Sequence, residues 1–219
     1  MHVDKAMAQI EEIHGHLLKG QIFHGYRTFP VMLMGCLAIA AAWGQFFFRA
    51  ALSPTGYVAY WTGVAFFAFA MGSGGLVQDY LCAATPAARR KTRIVVGQLL
   101  PSLAVGVVLS YGFMQTKDSS LVAFLPALWA LLYGLGLLSS RPFLPRMMGW
   151  VAGFYLLCGC VLLHRAVGLG IGGLSPWSVG LPFGLGQLVS ALALYWNLER
   201  DQCESLDSFR RIDHSGKEY

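Results

Sequence analysis

Long stretches without acidic residues are the feature of this sequence that most constrains its fold. No Asp or Glu occurs in residues 13–78, 80–117 or 119–198, and only Asp79 and Asp118 separate these ranges. A carboxylate at the centre of a membrane-spanning helix costs about 2.5–3.5 kcal/mol on insertion scales. A chain that crosses a bilayer repeatedly avoids this cost. The pattern therefore predicts an integral membrane protein rather than a very apolar soluble domain.

Six stretches are each close to the roughly 20 apolar residues that a helix needs to cross the hydrocarbon. They are residues 29–48, 57–77, 94–114, 121–138, 147–167 and 179–196. Several of the breaks between them are only a few residues long and carry turn residues, such as Ser53-Pro54 and Arg141-Pro142. Short breaks make neighbouring helices antiparallel. The sequence thus predicts an all-α bundle of six transmembrane helices over residues 29–197.

The distribution of Lys and Arg predicts the orientation of this bundle. Of the 16 basic residues, 13 lie before the first span, between the second and third, between the fourth and fifth, or after the sixth. The other three are Arg49, Lys117 and Arg165. Positive charge is retained in the cytoplasm, so both termini, including a tail at residues 198–219, are expected there.

Residues 1–28 predict one more helix on the cytoplasmic side. Apolar residues recur near a spacing of three to four, whereas Glu11, Glu12 and Lys19 fall elsewhere. The positions at this spacing are Val3, Met7, Ile10, Ile13 or His14, Leu17 and Gln21. One interpretation is an amphipathic interfacial helix on the membrane surface. The alternative is a docking helix for a protein partner.

A polar cluster is predicted at the cytoplasmic end of the second span. Asp79 is followed by Arg89, Arg90, Lys91 and Arg93. The net charge of +5 would favour nucleic acid as the partner of a soluble protein. Beside apolar spans, anionic lipid headgroups are the better match, and no nucleic acid is expected. The other interpretation is a structural ion pair next to a basic loop that only sets the orientation.

A few polar residues within the spans mark a second candidate site. Gln98, Tyr133 and Gln187 are expected to lie within spans three, four and six, and Pro101 and Pro182 could kink two of those helices next to the glutamines. Together they would suit a cavity for a neutral or lipid-like molecule. The alternative is that these side chains only form hydrogen bonds between helices.

Catalytic and metal chemistry receive little support. The spans contain no carboxylate pair, and no buried ionisable residue is expected apart from the borderline Asp79. His24 and His164 are the only histidines that border spans, and the predicted topology places them at opposite surfaces. We therefore expect no metal, no cofactor and no enzymatic activity.

Gly149 and Gly153 form a G-x-x-x-G motif, for which packing within the chain and dimerisation both remain open.

The stretch LWALLYG at residues 128–134, together with Gly149-Trp150, resembles a family of uncharacterised bacterial six-helix inner-membrane proteins. The resemblance mainly covers spans three to five. It implies a bacterial inner membrane but no activity, and it assigns no functional residue. The sequence thus favours a non-enzymatic membrane subunit or sensor-like module that binds a partner or anionic lipid on the cytoplasmic side. The alternative is a small permease or carrier.

Overall fold

The computed structural model describes residues 28–48, 52–82, 86–116, 119–170 and 174–215, and it describes side chains within 28–48, 52–73, 93–116, 120–170 and 174–196. The predicted N-terminal helix therefore lies outside the described residues, apart from Thr28. The described chain is helical with short connections and contains no strand. The all-α prediction is confirmed for this part of the chain.

The described residues form six α-helices, named here in chain order. They are α1 (Thr28–Phe47), α2 (Pro54–Cys82), α3 (Pro86–Gln115), α4 (Leu125–Ser139), α5 (Met148–Leu169) and α6 (Pro176–Ser215). Short 3-10 helices at Ser119–Phe124 and Arg141–Phe143 flank α4. The first helical residue of α2, α3 and α6 is a proline, where its missing N–H removes no helical hydrogen bond.

Five stretches of the described chain are long and apolar enough to cross a membrane. They are Thr28–Phe47, Arg93–Gln115, Ser120–Ser139, Met148–Leu169 and Pro176–Trp196. Each coincides with a predicted span. The predicted second span, residues 57–77, lies within helix α2, which is not among these five. Only residues 54–73 of α2 have described side chains, so the search for apolar spans did not include the end of this predicted span.

Two helices are longer than the sequence analysis predicted. Helix α3 begins at Pro86, so the predicted basic loop forms its first turns. Helix α6 continues to Ser215, so most of the predicted tail is helical. The reason is local: Ala, Arg and Lys after Pro86 are strong helix formers, and no Gly or Pro occurs in residues 187–215.

Helices α1 and α6 form a close antiparallel pair. Near the start of α1, Val31 packs with Ala191 and Leu194, which lie late in α6. Near the end of α1, the Trp43 ring lies 5.3 Å from the Trp177 ring at the start of α6, centroid to centroid. The start of α1 and residues 191–194 of α6 therefore lie at the same end of the bundle.

Glycines in α6 allow this close approach. A methyl group at Gly184 would lie 2.5 Å from Ile39 Cγ1, and one at Gly180 would clash with Ala42. Small residues let membrane helices pack backbone to backbone, because lipid supplies no hydrophobic force to bring helices together. The pair also uses Gly35, whose Cα faces the Gly184 carbonyl oxygen and Leu188.

Helices α4 and α5 form a second close antiparallel pair. Gly159 of α5 faces Leu131 of α4, and Gly134 of α4 faces Tyr155 of α5. Among the candidate spans, α6 and α4 are the most buried within the bundle, whereas α3 is the least. In α6, Ser178, Gln187 and Ser190 are buried, and α3 packs against α4 where Leu99 lies beside Gly136.

Candidate functional site

The predicted cytoplasmic cluster falls on two helices. Asp79 belongs to α2, whereas Arg89, Arg90, Lys91 and Arg93 belong to the first turns of α3. The Arg93 side chain is exposed, and the other four side chains lie outside the described residues. Whether Asp79 orients one of the cations thus stays a prediction.

The position of Arg93 relates this cluster to the membrane. The apolar part of α3 is Arg93–Gln115, and the helix runs unbroken from Pro86 through that segment. The four basic residues therefore occupy one rigid helix that continues into an apolar span. In a bilayer this arrangement holds the cations near the depth of the lipid headgroups.

Two residues of the second candidate site contact each other in the structure. Gln187 Nε2 of α6 donates a 2.7 Å hydrogen bond to Tyr133 Oη of α4, and the Gln187 side chain is only 7% exposed. Two of the three residues predicted to line a cavity are thus joined directly. Their contact ties α4 to α6 across the bundle interior.

An aromatic group that the sequence analysis missed surrounds this pair. The Tyr133 ring centroid lies 4.8 Å from that of Tyr155 and 5.7 Å from that of Phe183. Tyr155 is fully buried, and its hydroxyl donates to the Phe183 carbonyl oxygen at 3.5 Å. Gly186 leaves room for the Tyr155 ring. Tyr133 was selected because its phenol lies in the middle of a predicted span. Tyr155 also lies in the middle of a predicted span, so the same signal could have identified it.

Gln98 belongs to α3. Its neighbours Leu99 and Ser102 lie beside Gly136, which places this part of α3 against α4. Within the described part of the chain, Gln98 Oε1 and Gln187 Oε1 are both buried without a hydrogen-bond partner. Each is an acceptor that a ligand N–H or O–H could satisfy. Chemically, these positions suit a neutral hydrogen-bond donor.

Other polar side chains in the spans bond between helices. Trp61 Nε1 of α2 donates to Gln45 Oε1 of α1 at 3.1 Å. Trp129 Nε1 of α4 donates to Ser110 Oγ of α3 at 2.9 Å. Tyr60 Oη donates to a backbone carbonyl of α1 at 2.8 Å. These contacts favour the interpretation in which polar groups in the spans connect helices.

Two G-x-x-x-G motifs within the helices behave differently. Gly149 faces the Arg141 side chain, and a methyl group added there would lie 3.1 Å from Arg141 Nε, whereas Gly153 faces no described atom within 4 Å. The close helix contact is instead made by Gly180 and Gly184. The Gly180–Gly184 motif is visible in the sequence but was missed, because the spacing of glycines does not indicate which motif contacts another helix.

No set of three or more His, Cys, Asp or Glu residues that could hold a metal ion occurs among the residues described.

Comparison with protein-family models, curated proteins and solved structures finds no match to this chain.

Proposed function

We propose that the protein is a non-enzymatic, six-span subunit of a bacterial inner membrane that binds anionic lipid headgroups on its cytoplasmic side. The observation that carries this proposal is the unbroken helix α3 (Pro86–Gln115), which joins four basic residues to an apolar span. Both termini would lie in the cytoplasm, and the N-terminal segment would form an amphipathic helix there, either as the predicted interfacial helix or docked on protein.

The antiparallel pairing of α1 and α6 supports six crossings. If both helices cross the bilayer, α1 ends and α6 begins at the same face, because Trp43 contacts Trp177. The chain between them must then cross an even number of times. Helices α3, α4 and α5 provide three crossings, so α2 must provide the fourth. Helix α2 is long enough, at 29 residues.

Electrostatics supports the choice of ligand. A Lys or Arg held near an anionic leaflet contributes roughly 1 kcal/mol, and the attraction decays within a Debye length of about 8 Å. Arg89, Arg90, Lys91 and Arg93 lie within two turns of one helix, so they act over that range together. The rigid connection to the span spares the entropy cost of ordering a loop at the surface.

Native mass spectrometry after reconstitution with equal phosphatidylglycerol and phosphatidylcholine tests this proposal. The triple variant Arg89→Gln, Arg90→Gln, Lys91→Gln should lose the preferential retention of phosphatidylglycerol. The matched control, Arg49→Gln, Lys117→Gln, Arg165→Gln, removes the same charge from the opposite predicted face and should keep it. Equal retention by both variants would contradict the proposal.

A carrier is the second candidate, and the buried acceptors Gln98 Oε1 and Gln187 Oε1 are the observation in its favour. A carrier must open its binding site to water on one side of the membrane and then on the other, so such groups become accessible from both sides. In a cysteine-free background, Gln98→Cys should then react with a membrane-impermeant methanethiosulfonate from either side of the bilayer. Ala152→Cys, at a fully buried position between α4 and α5, is the control and should stay unreactive. If Gln98→Cys is equally unreactive, the carrier function is excluded.

A further inference from the structure

Helix α5 carries a histidine on the side that faces away from the bundle. The buried residues of α5 share one side of the helix, and they are Met148, Val151, Ala152, Tyr155, Gly159 and Ala166. At 100° per residue, His164 lies about 160° from the centre of that side. Its side chain is exposed, as are those of Leu157 and Val161 on the same side. In a bilayer, His164 therefore faces away from the rest of its own chain.

His164 also lies within the hydrocarbon rather than at its edge. The apolar span of α5 is Met148–Leu169, which is about 33 Å long, and the hydrocarbon is about 30 Å thick. Centred in the bilayer, this span places the His164 Cα about 7 Å inside the nearer surface of the hydrocarbon. The Cα–Cβ bond of a helical residue tilts toward the N-terminus of its helix. The imidazole is thus directed toward the middle of the bilayer instead of toward the nearer headgroups.

Such a position requires a hydrogen-bonding partner. Ionisable side chains in membrane spans almost always face protein or water, because lipid chains offer no hydrogen bond. Among the five apolar spans of the described chain, only Arg93, His164 and Arg165 are basic or acidic. Arg93 begins its span, and Arg165 is long enough to reach the headgroups from near the end of a helix. His164 has neither option, so its partner must meet it at the same depth.

We propose that this outward side of α5 is the contact surface for a second copy of the chain, in which the two His164 side chains form a hydrogen bond with each other. The dimer has a two-fold axis along the membrane normal. It goes beyond the proposed lipid binding and does not depend on it.

The chemistry of His164 favours a second copy over another partner. All copies of a membrane protein insert in one direction, so a two-fold axis brings each residue on it opposite the same residue of the partner at the same depth. A neutral imidazole has one N–H donor and one acceptor nitrogen, so two of them are complementary to each other. A second copy therefore supplies the missing group without any further ionisable residue in the lipid.

The residues around His164 allow two such surfaces to meet. The neighbours on the outward side are uncharged, and they are Leu157, Cys160, Val161 and Gly168. Gly168 faces no described atom within 4 Å, so it leaves space beside the histidine. Membrane helices cross at an angle and diverge away from their contact. Gly153 lies roughly 16 Å from His164 along α5, so the dimer does not depend on it.

The native cysteines of the spans provide a test. Three variants each keep one of Cys36, Cys158 and Cys160, and all other cysteines are replaced by serine. They are oxidised with copper phenanthroline in proteoliposomes at increasing lipid-to-protein ratios, and non-reducing gels measure the disulfide-linked dimer. Cys160 lies one turn from His164 on the outward side and is exposed. We expect the variant that keeps Cys160 to form at least ten times more dimer than either control, at every dilution.

The two controls separate a specific contact from collision. Cys158 lies about 3 Å from Cys160 along the same helix but about 160° around it, and it is half-buried. Cys36 is exposed in α1, so it reports random encounters between copies. Equal yields for Cys160 and Cys158 would overturn the proposal. So would a Cys160 yield that falls to that of Cys36 as the protein is diluted in lipid.

Substitution of the histidine tests the hydrogen bond itself. His164→Leu should raise the dissociation constant of the dimer about threefold or more, measured by counting fluorophores per particle in dilute proteoliposomes. His164→Asn keeps a donor and an acceptor and should restore most of the affinity. An unchanged dissociation constant in His164→Leu would overturn the proposal, as would a monomer that loses retained phospholipid in native mass spectrometry when His164 is replaced. The Arg89→Gln, Arg90→Gln, Lys91→Gln variant should dimerise normally, so failure of the lipid proposal and failure of the dimer are distinguishable.

Discussion

Gln187 Nε2 donates a 2.7 Å hydrogen bond to Tyr133 Oη, and this contact joins the two most buried candidate spans of the chain. An amide and a phenol in the bundle interior need such a partner, because lipid offers none. The pair is accordingly a point at which the packing of α4 on α6 can be tested by single substitutions.

We expect Tyr133→Phe to lower the free energy of unfolding by about 1–2 kcal/mol, because it leaves the buried Gln187 amide without its acceptor. Unfolding by dodecyl sulfate in mixed micelles measures the change. Tyr111→Phe is the control, since Tyr111 is 66% exposed and accepts its hydrogen bond from Gln115 on the bundle surface. An equal loss of unfolding free energy in both variants would show that the interior hydrogen bond stabilises the protein no more than the surface one.

Gly184→Val should disrupt the α1–α6 pair, since its Cβ alone would lie 2.5 Å from Ile39 Cγ1. Overpacking of this kind costs roughly 1–3 kcal/mol. The melting temperature of the detergent-solubilised protein, followed by fluorescence-detected size exclusion, should fall by several degrees. Gly153→Val makes the same change at a site that faces no described atom within 4 Å, and it should melt close to the wild type. A larger fall for Gly153→Val would contradict the packing.

Trp61→Phe should destabilise the contact between α1 and α2, because it removes the N–H that satisfies the buried Gln45 Oε1. A loss of about 1–3 kcal/mol is expected for a buried acceptor left without a donor. The same mixed-micelle titration provides the measurement. Trp150→Phe is the matched control, with a side chain that is 83% exposed. The assignment fails if the two tryptophan variants unfold alike.

Membrane topology can be read from single cysteines in a cysteine-free background. Lys117→Cys and Arg165→Cys should react with an impermeant maleimide added outside intact cells, and Arg90→Cys should react only after the membrane is opened. The six-span orientation predicts this difference from the distribution of positive charge. Labelling of Arg90→Cys and Lys117→Cys from the same side would refute it.

Individual residues show which features of the structure the sequence predicts and which it does not. The acid-free ranges were enough to locate five apolar helical spans, because the cost of a carboxylate in lipid acts within one segment. The basic run after Pro86 was predicted as a loop, although its residues favour helix. Tyr155 was missed because its role depends on Gly186 and Phe183, which lie on another helix.

The amino-acid sequence by itself determined that the described chain is helical and where most of its apolar spans lie, since the cost of charge and unpaired backbone groups in lipid acts locally. Only the tertiary structure decided that Gly180 and Gly184, rather than Gly149 and Gly153, meet a neighbouring helix, and that Gln187 bonds to Tyr133. In a membrane helix every side is apolar, so periodicity does not indicate which side faces protein. That choice depends on the fit between small residues on two helices that are far apart in the sequence.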